Sequence, residues 1–450
     1  MTAFQARRAL LPEGWASDVR IEVDAGGWIT AVEKGGKGGE ALPGVVVPGV
    51  PNLHSHAFQR AIAGATERRS PSGGDSFWSW REQMYRLCAL FGPEDAEAVA
   101  AQLYAEMLSW GFTSVAEFHY LHHDPDGRPY ADIAEMAKRH LAAARATGIG
   151  MTVLPCLYRY GGIFGREPNH GQRRFLNDLD GYWKIVEGCR GAIAGDDNAA
   201  LGVAPHSLRA ASAEMIAALS GFEGVIHIHA AEQVKEVEEC VTATGRRPVE
   251  WLLENAPIDA RWVLIHATHM TQAEIAGLAR TGAVAGLCPT TEASLGDGIF
   301  ALPEWRAAGG VLGVGTDSHV GTSPRDEFRQ LETSQRLKLL GRAVATDEAM
   351  PHPGRALLEM ALKGGAQASG RKLGAIAPGM RADFVAVDDL HPALIGRKDD
   401  ELLDAWVFNG QSNPVSTVVV GGKRVVEGGR HIRAEAIEAR FRKVMQRLFA

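Results

Sequence analysis

The chain has 450 residues, 46% hydrophobic and 22% charged, a balance that suits a large soluble enzyme and excludes broad disorder. A net charge of −7 offers no attractive field to nucleic acid or an anionic membrane, so an anionic substrate would have to be met by locally placed arginines. Five scattered cysteines form no CxxC pair, which argues against a disulfide framework and a cysteine zinc site. With no signal-type apolar segment and no apolar run approaching the roughly 20 residues of a membrane span, the expectation is a cytoplasmic protein.

Taken in chain order, the first 45 residues read as short strands ("DVRIEVDAGGWITAVE") broken by a glycine-rich turn, "KGGKGG". Similar pieces return late: "ADFVAVDD" from Ala382, "AWVFNG" from Ala405 and "VSTVVVGGKRVVEGG" from Val415. The two ends are expected to pair into one small β-domain. Between them, apolar runs alternate with helical stretches such as "EDAEAVAAQLYAEMLSW" and "YADIAEMAKRHLAAARA". The runs are Val45–Val47, "FTSVAEF" from Phe112, "GMTVLPCLY" from Gly150, "ALGVAP" from Ala200, "GVIHIHA" from Gly224, "RWVLIHA" from Arg261, "AVAGLCP" from Ala283 and "GVLGVGTD" from Gly310.

Eight apolar strands alternating with helices predict an α/β chain: a (β/α)8 TIM-type barrel, with a small β-sandwich domain formed from both termini. The doubly wound open sheet is the competitor, but no Rossmann or Walker fingerprint is present: after Gly313 and Gly315, Ser318 stands where the third glycine belongs. The expected division is 1–46 and 373–430 for the two parts of the β-domain, 47–372 for the barrel, and 431–450 for a C-terminal helix.

Active sites of such barrels lie at the C-terminal strand ends. The first strand is expected to lead into His54 and His56, which at i and i+2 share a face. The fifth carries His227 and His229, followed by Glu232; the sixth ends in His266, the eighth in Asp317. A single strand histidine is more often a hydrogen-bonded core residue, so the weight comes from the recurrence at one level of the barrel. Imidazoles with one carboxylate suit Zn²⁺ with an open position for water, and Fe²⁺ or Mn²⁺ can occupy such sites. His54, His56, His229 and Asp317 are the expected ligands. His227 is read as a deeper packing or outer residue. The fourth strand, ending in "APHSLRA", lacks the lysine that a bridged metal pair would use, so one ion per subunit is favoured.

The set "HSH … HIHAAE … IHATH … GTDSH" resembles the mononuclear deaminase branch of the amidohydrolase superfamily. That resemblance implies Glu232 as proton shuttle and His266 beside the metal and the hydrolytic water, with Asp317 both ligand and proton acceptor. Metal-bound water would ionise near neutral pH, at a pKa of ~7, and Glu232 would carry a proton to the departing nitrogen. The bland alternative for Glu232 is a carboxylate favoured by a helix N-terminus.

Arg81 in "FWSWREQMY" and Arg209 in "APHSLRA" suit a small substrate with two carboxylates. Gln59, Tyr120 and His206 lie near the same strand ends. The stretches "HSHAFQRAIAG", "FWSWREQMY", "EFHYLHH" and "APHSLRA" resemble the formimidoylglutamate deiminase family of histidine degradation. In that family the counterparts of Gln59, Arg81, Tyr120, His206 and Arg209 hold the two carboxylates, and the implied reaction converts N-formimidoyl-L-glutamate to N-formyl-L-glutamate and ammonia. The resemblance also implies a homodimer. The alternatives are a deaminase of a purine, pyrimidine or pterin base, favoured if both arginines point away from the pocket, and a non-catalytic zinc-binding scaffold. "FWSW" is expected to pack within a long loop that includes Ser70–Asp75, His122 and His123 to sit on a loop surface, His119 to flank a strand end, and His319 to lie just outside the ligands. Nothing beside Cys288 suggests a nucleophile.

Overall fold

The computed structural model describes residues 1–67, 69, 75–410 and 412–450. The chain opens with β1 (Thr2–Leu11), β2 (Gly14–Val23), β3 (Ile29–Lys34) and β4 (Glu40–Pro48). The strands of the central region are β5 (Val50–Ser55), β6 (Phe112–His119), β7 (Gly150–Leu157), β8 (Ala199–Leu201), β9 (Ala204–Pro205), β10 (Ile226–Ala230), β11 (Trp262–His266), β12 (Val284–Leu287) and β13 (Val311–Val314). The last are β14 (Phe384–Val387), β15 (Val415–Val420), β16 (Lys423–Glu427) and β17 (Arg430–His431).

The central strands pair in parallel from β5 to β8, with β9 also on β7, and from β10 to β13. Parallel bridges at Val203–Ile226 and Ser55–Asp317 join the two runs and close the ring. With β8 and β9 as two halves of one interrupted strand, the result is an eight-stranded parallel barrel. Its strands are nearly continuous apolar runs because both faces are covered, by barrel interior and by helices. β5 and β6 are buried at every residue.

The terminal strands form one sheet in the order β17-β16-β15-β14-β4-β1-β2-β3, so both ends of the chain build it. Phe4, Ile21, Val46, Phe384 and Val419 share its core. Two expectations are corrected here. Val45–Val47 belongs to β4 of this sheet, paired with β1 and β14, and the first barrel strand is instead β5. The transfer between sheets happens at Gly49, where a Cβ would lie 2.2 Å from Thr113 Cγ2. "AWVFNG" is not a strand: it ends a helix, Asp399–Phe408, whose first turn holds Asp399, Asp400 and Glu401 and which buries Leu402, Leu403, Trp406 and Val407. Acidic residues at the helix start and apolar residues at helical spacing outweigh the β-like look of Trp-Val-Phe.

The helix Pro353–Ser369 closes the N-terminal mouth of the barrel. Gln367 Nε2 donates to the carbonyls of Ala260 and Gly282, Thr152 Oγ1 donates to Ser369, and His227 Nε2 faces the Ala368 carbonyl at 2.8 Å. His227 is thus a packing residue against the plug helix, one layer deeper than His229. No helix among the described residues is long and apolar enough to cross a membrane.

Close contact at this plug rests on Gly364, where a Cβ would sit 1.9 Å from the Leu312 carbonyl oxygen. Gly364→Ala gains helix propensity worth about 1 kcal/mol but overpacks a backbone contact, a loss of roughly 1–3 kcal/mol or more. Thermal denaturation is expected to show a lowered Tm for Gly364→Ala. Gly191→Ala, in a helix with nothing within 4 Å of the added methyl, should hold or raise it.

Candidate metal and active site

β5 ends by turning His54 and His56 into the barrel mouth, where they meet His229 from β10 and Asp317 just beyond β13. The ligand atoms of these four buried residues lie within 4.8 Å of one another, an arrangement that fits a divalent metal. His56 Nε2 is 3.1 Å from His54 Nε2, 3.4 Å from His229 Nε2 and 3.3 Å from Asp317 Oδ1.

The other ring nitrogens explain the orientation. His56 Nδ1 is 2.8 Å from the Phe118 carbonyl, and His229 Nδ1 is 3.0 Å from the His206 carbonyl. A carbonyl only accepts, so both protons sit on Nδ1 and both Nε2 atoms present bare lone pairs. Burial pulls His54 down to about 3, aided by His56, and lowers His56 and His229 as well. The imidazoles are therefore held in the neutral form that ligates metal. Burial alone would raise Asp317, but the His54 hydrogen bond and the surrounding imidazoles outweigh it and keep the carboxyl below its usual range.

Asn52 ties β5 to the segment just beyond β13. Its Oδ1 accepts from the backbone N–H of His54 and of Thr316, both at 3.2 Å, and its Nδ2 donates to Thr316 Oγ1 at 2.8 Å. His266 stands beside the cluster, with Nε2 3.6 Å from Glu232 Oε1 and 3.8 Å from Asp317 Oδ2, and Nδ1 3.2 Å from Glu292 Oε1. Burial opposes its charge, yet the carboxylates of Glu232, Glu292 and Asp317 prevail and raise it to about 10.

The cavity at the cluster is lined by His56, His229, Glu232 and Asp317. Gln59, Arg81, Tyr120, His206 and Arg209 line it too, so every residue singled out for substrate falls in one place. Gln59 Nε2 donates to the Tyr120 hydroxyl at 2.6 Å. Arg209 Nη2 donates to Glu232 Oε2 at 2.7 Å, with Glu236 Oε2 at 4.0 Å, while its buried Nε has no partner. Arg81 lies over the rings of Trp78 (4.5 Å) and Tyr85 (5.7 Å) and, among the described residues, no carboxylate pairs with it.

Several expectations change. His122 and His123 are buried rather than on a loop surface: their rings meet the carbonyls of Cys156 and Leu176, and their N–H groups donate to the Arg174 carbonyl. "FWSW" opens a helix, Phe77–Cys88, capped by Ser76, and its aromatic rings line the cavity. Residues 70–74 of the Ser70–Asp75 segment lie outside the described residues. His319 is buried between Ser55 Oγ and Thr316 Oγ1. His119 is buried with neither ring nitrogen hydrogen-bonded to a side chain or backbone group. Sequence reasoning passed over Glu292, Glu236 and Tyr158. Glu236 accepts from the N–H groups of Ala231 and Glu232 and so shapes the turn carrying Glu232. Glu292 and Tyr158 both follow barrel strand ends, a position that could have flagged them.

Comparison with known proteins matches this geometry. Residues 45–425 match the Amidohydrolase family profile, and residues 1–41 match that of the formimidoylglutamate deiminase HutF N-terminal domain. A formimidoylglutamate deiminase from Pseudomonas aeruginosa is 48% identical over 453 residues, covering 100% of both chains. An amidohydrolase structure from Brucella melitensis superposes with a TM-score of 0.95 at 48% identity, again over 100% of both chains. An adenosine deaminase from Xanthomonas campestris, solved with bound zinc, shares the fold at a TM-score of 0.81 and 20% identity, covering 99% of this chain and 98% of that one. The chain belongs to the amidohydrolase family, in its formimidoylglutamate deiminase group.

Proposed function

We propose that the protein is a metal-dependent deiminase that hydrolyses N-formimidoyl-L-glutamate to N-formyl-L-glutamate and ammonia. The observation that carries this reading is a cation placed without a counter-ion: Arg81 reaches the same cavity as the metal cluster and has no carboxylate partner among the described residues. The 48% identity to the Pseudomonas aeruginosa deiminase over the whole chain supports the same substrate. A heterocycle deaminase is the weaker reading, since both Arg81 and Arg209 line the pocket.

The donor set fits a cation. Two bare Nε2 lone pairs at 3.4 Å and a carboxylate at 3.3 Å repel one another unless a positive charge lies between them. Three imidazoles and one carboxylate suit zinc, with Fe²⁺ or Mn²⁺ as the other ions this set accepts; the zinc in the Xanthomonas campestris neighbour supports the first choice. A divalent ion held there supplies Lewis acidity and lowers the pKa of a water that it holds.

The chain's own groups do the rest. Arg81 and the free edge of Arg209 bind the two substrate carboxylates, with Gln59, Tyr120 and His206 completing the cradle. Asp317 orients the attacking water and accepts its proton. Glu232, set between His266 and Arg209, carries a proton to the leaving nitrogen, which departs only when protonated. His266, gripped by Glu292, donates to the attacking oxygen through Nε2, which has no hydrogen-bond partner of its own.

Ammonia release should be seen with N-formimidoyl-L-glutamate and not with guanine or cytosine; the reverse result would sink the substrate assignment. Elemental analysis is expected to find about one metal ion per chain, lost together with activity on chelation and in His56→Ala. Glu232→Gln should keep the metal while kcat falls about 10²- to 10⁴-fold. Arg81→Met should raise KM roughly 30- to 100-fold, the loss of a charged contact worth about 2–3 kcal/mol, with kcat changed far less.

A further inference from the structure

Behind the His54-Ser55-His56 tripeptide lies a carboxylate that takes no part in the chemistry above. Glu117, on β6, is 1% exposed. Its Oε2 accepts from Ser55 Oγ at 2.6 Å and from the Tyr104 hydroxyl at 3.0 Å, and its Oε1 accepts from the backbone N–H of Ala57 at 2.7 Å. Ser55 and Ala57 flank His56 on either side, so one carboxylate grips the chain before and after a ligand. Ser55 Oγ also meets His319 Nε2 at 3.3 Å, and His319 Nδ1 meets Thr316 Oγ1 at 3.0 Å, one residue before Asp317.

The backbone explains why a side chain is needed. The β5–β6 ladder shifts register between Asn52 and Ser55, so regular main-chain pairing is interrupted where His54 stands. A buried carboxylate is costly unless donors surround it, and here three donors converge on Glu117 at that interruption.

We propose that Glu117 is a positioning residue that sets His54 and His56 for the metal, by fixing the backbone on both sides of His56. This rests on the reading that those two histidines hold the ion. Supporting residues of this kind are usually worth 10- to 100-fold in metal affinity.

The test is zinc affinity of the full-length protein by chelator competition, with the visible spectrum of the Co²⁺-loaded protein as a second readout. Glu117→Met keeps the volume and removes all three acceptors; affinity should fall about 10- to 100-fold and the Co²⁺ bands should shift. Glu117→Gln retains an oxygen for Ala57 N–H and should recover part of the loss. Folded Glu117→Met with wild-type affinity and wild-type bands overturns the proposal. If Glu117→Met does not fold, Ser55→Ala decides: about a three- to tenfold loss supports it, and none overturns it. His56→Ala separates the two readings. Metal bound by wild type but not by His56→Ala keeps the ligand assignment even when Glu117 fails, whereas a wild-type chain that binds no metal overturns both.

Discussion

Two imidazole nitrogens that cannot donate face each other at 3.4 Å in a buried pocket, and the top of the barrel is organised around keeping them there. Each ring is pinned from behind by a backbone carbonyl, Phe118 for His56 and His206 for His229. Those carbonyls belong to β6 and to the residue after β9, so ring orientation is set by the neighbouring strands and not only by the strands that carry the histidines. Barrel closure is therefore a chemical requirement as well as a packing solution. Loss of register in one strand would move a carbonyl, free a tautomer and let the lone pairs escape one another.

Holding polar groups in this way strains the backbone where the strands end. Ala231, His266, Ala267, Asp317 and His319 all have positive φ, between 49° and 68°, in a region that side-chain-bearing residues rarely adopt. Each such residue costs of order 1–3 kcal/mol; Asp317 is itself one of the clustered residues, and His266 stands beside it. The strain arises because the chain must leave a straight strand while its side chains still converge on one point. Stability comes from the other end: the plug helix Pro353–Ser369 and the apolar core below the site hold the strands in register without touching the chemistry.

Much of this was legible in the sequence because it follows from period. His54 and His56 share a face since strands alternate, and seven of the eight apolar runs mark real barrel strands. The first run misleads for a physical reason: Val45–Val47 is as buried as any barrel strand, and hydrophobicity reports burial but not which sheet provides it. "AWVFNG" misleads because its helix is decided by the acidic turn before it and by packing. The burial of His122 and His123 depends on Arg174, some fifty residues away, whose carbonyl takes both their N–H groups. Glu117, Glu236 and Glu292 escape a motif search for a related reason. Glu117 is held by the Ser55 and Tyr104 hydroxyls and the Ala57 N–H, which come from other elements. Glu236 and Glu292 accept from backbone N–H groups four or five residues earlier and also meet Arg209 and His266. None belongs to a motif of side chains at fixed spacing.

In the proposed reaction a chain of net charge −7 must receive a dianion, and two arginines of different character line the cavity. Arg209 is compensated by Glu232 and Glu236, so its guanidinium is fixed in place and its field is partly spent on the acid that serves as shuttle in the proposed reaction. Arg81 is held by aromatic faces instead, and among the described residues no carboxylate pairs with it. In the proposed reaction an incoming carboxylate would gain most at Arg81, while contact with Arg209 would also touch the group that holds Glu232. On that reading, binding and proton transfer would be joined through Arg209, which hydrogen-bonds Glu232. A planar neutral base would use neither the uncompensated cation nor that link, and its absence would leave Arg81 an unpaired charge on a cavity wall.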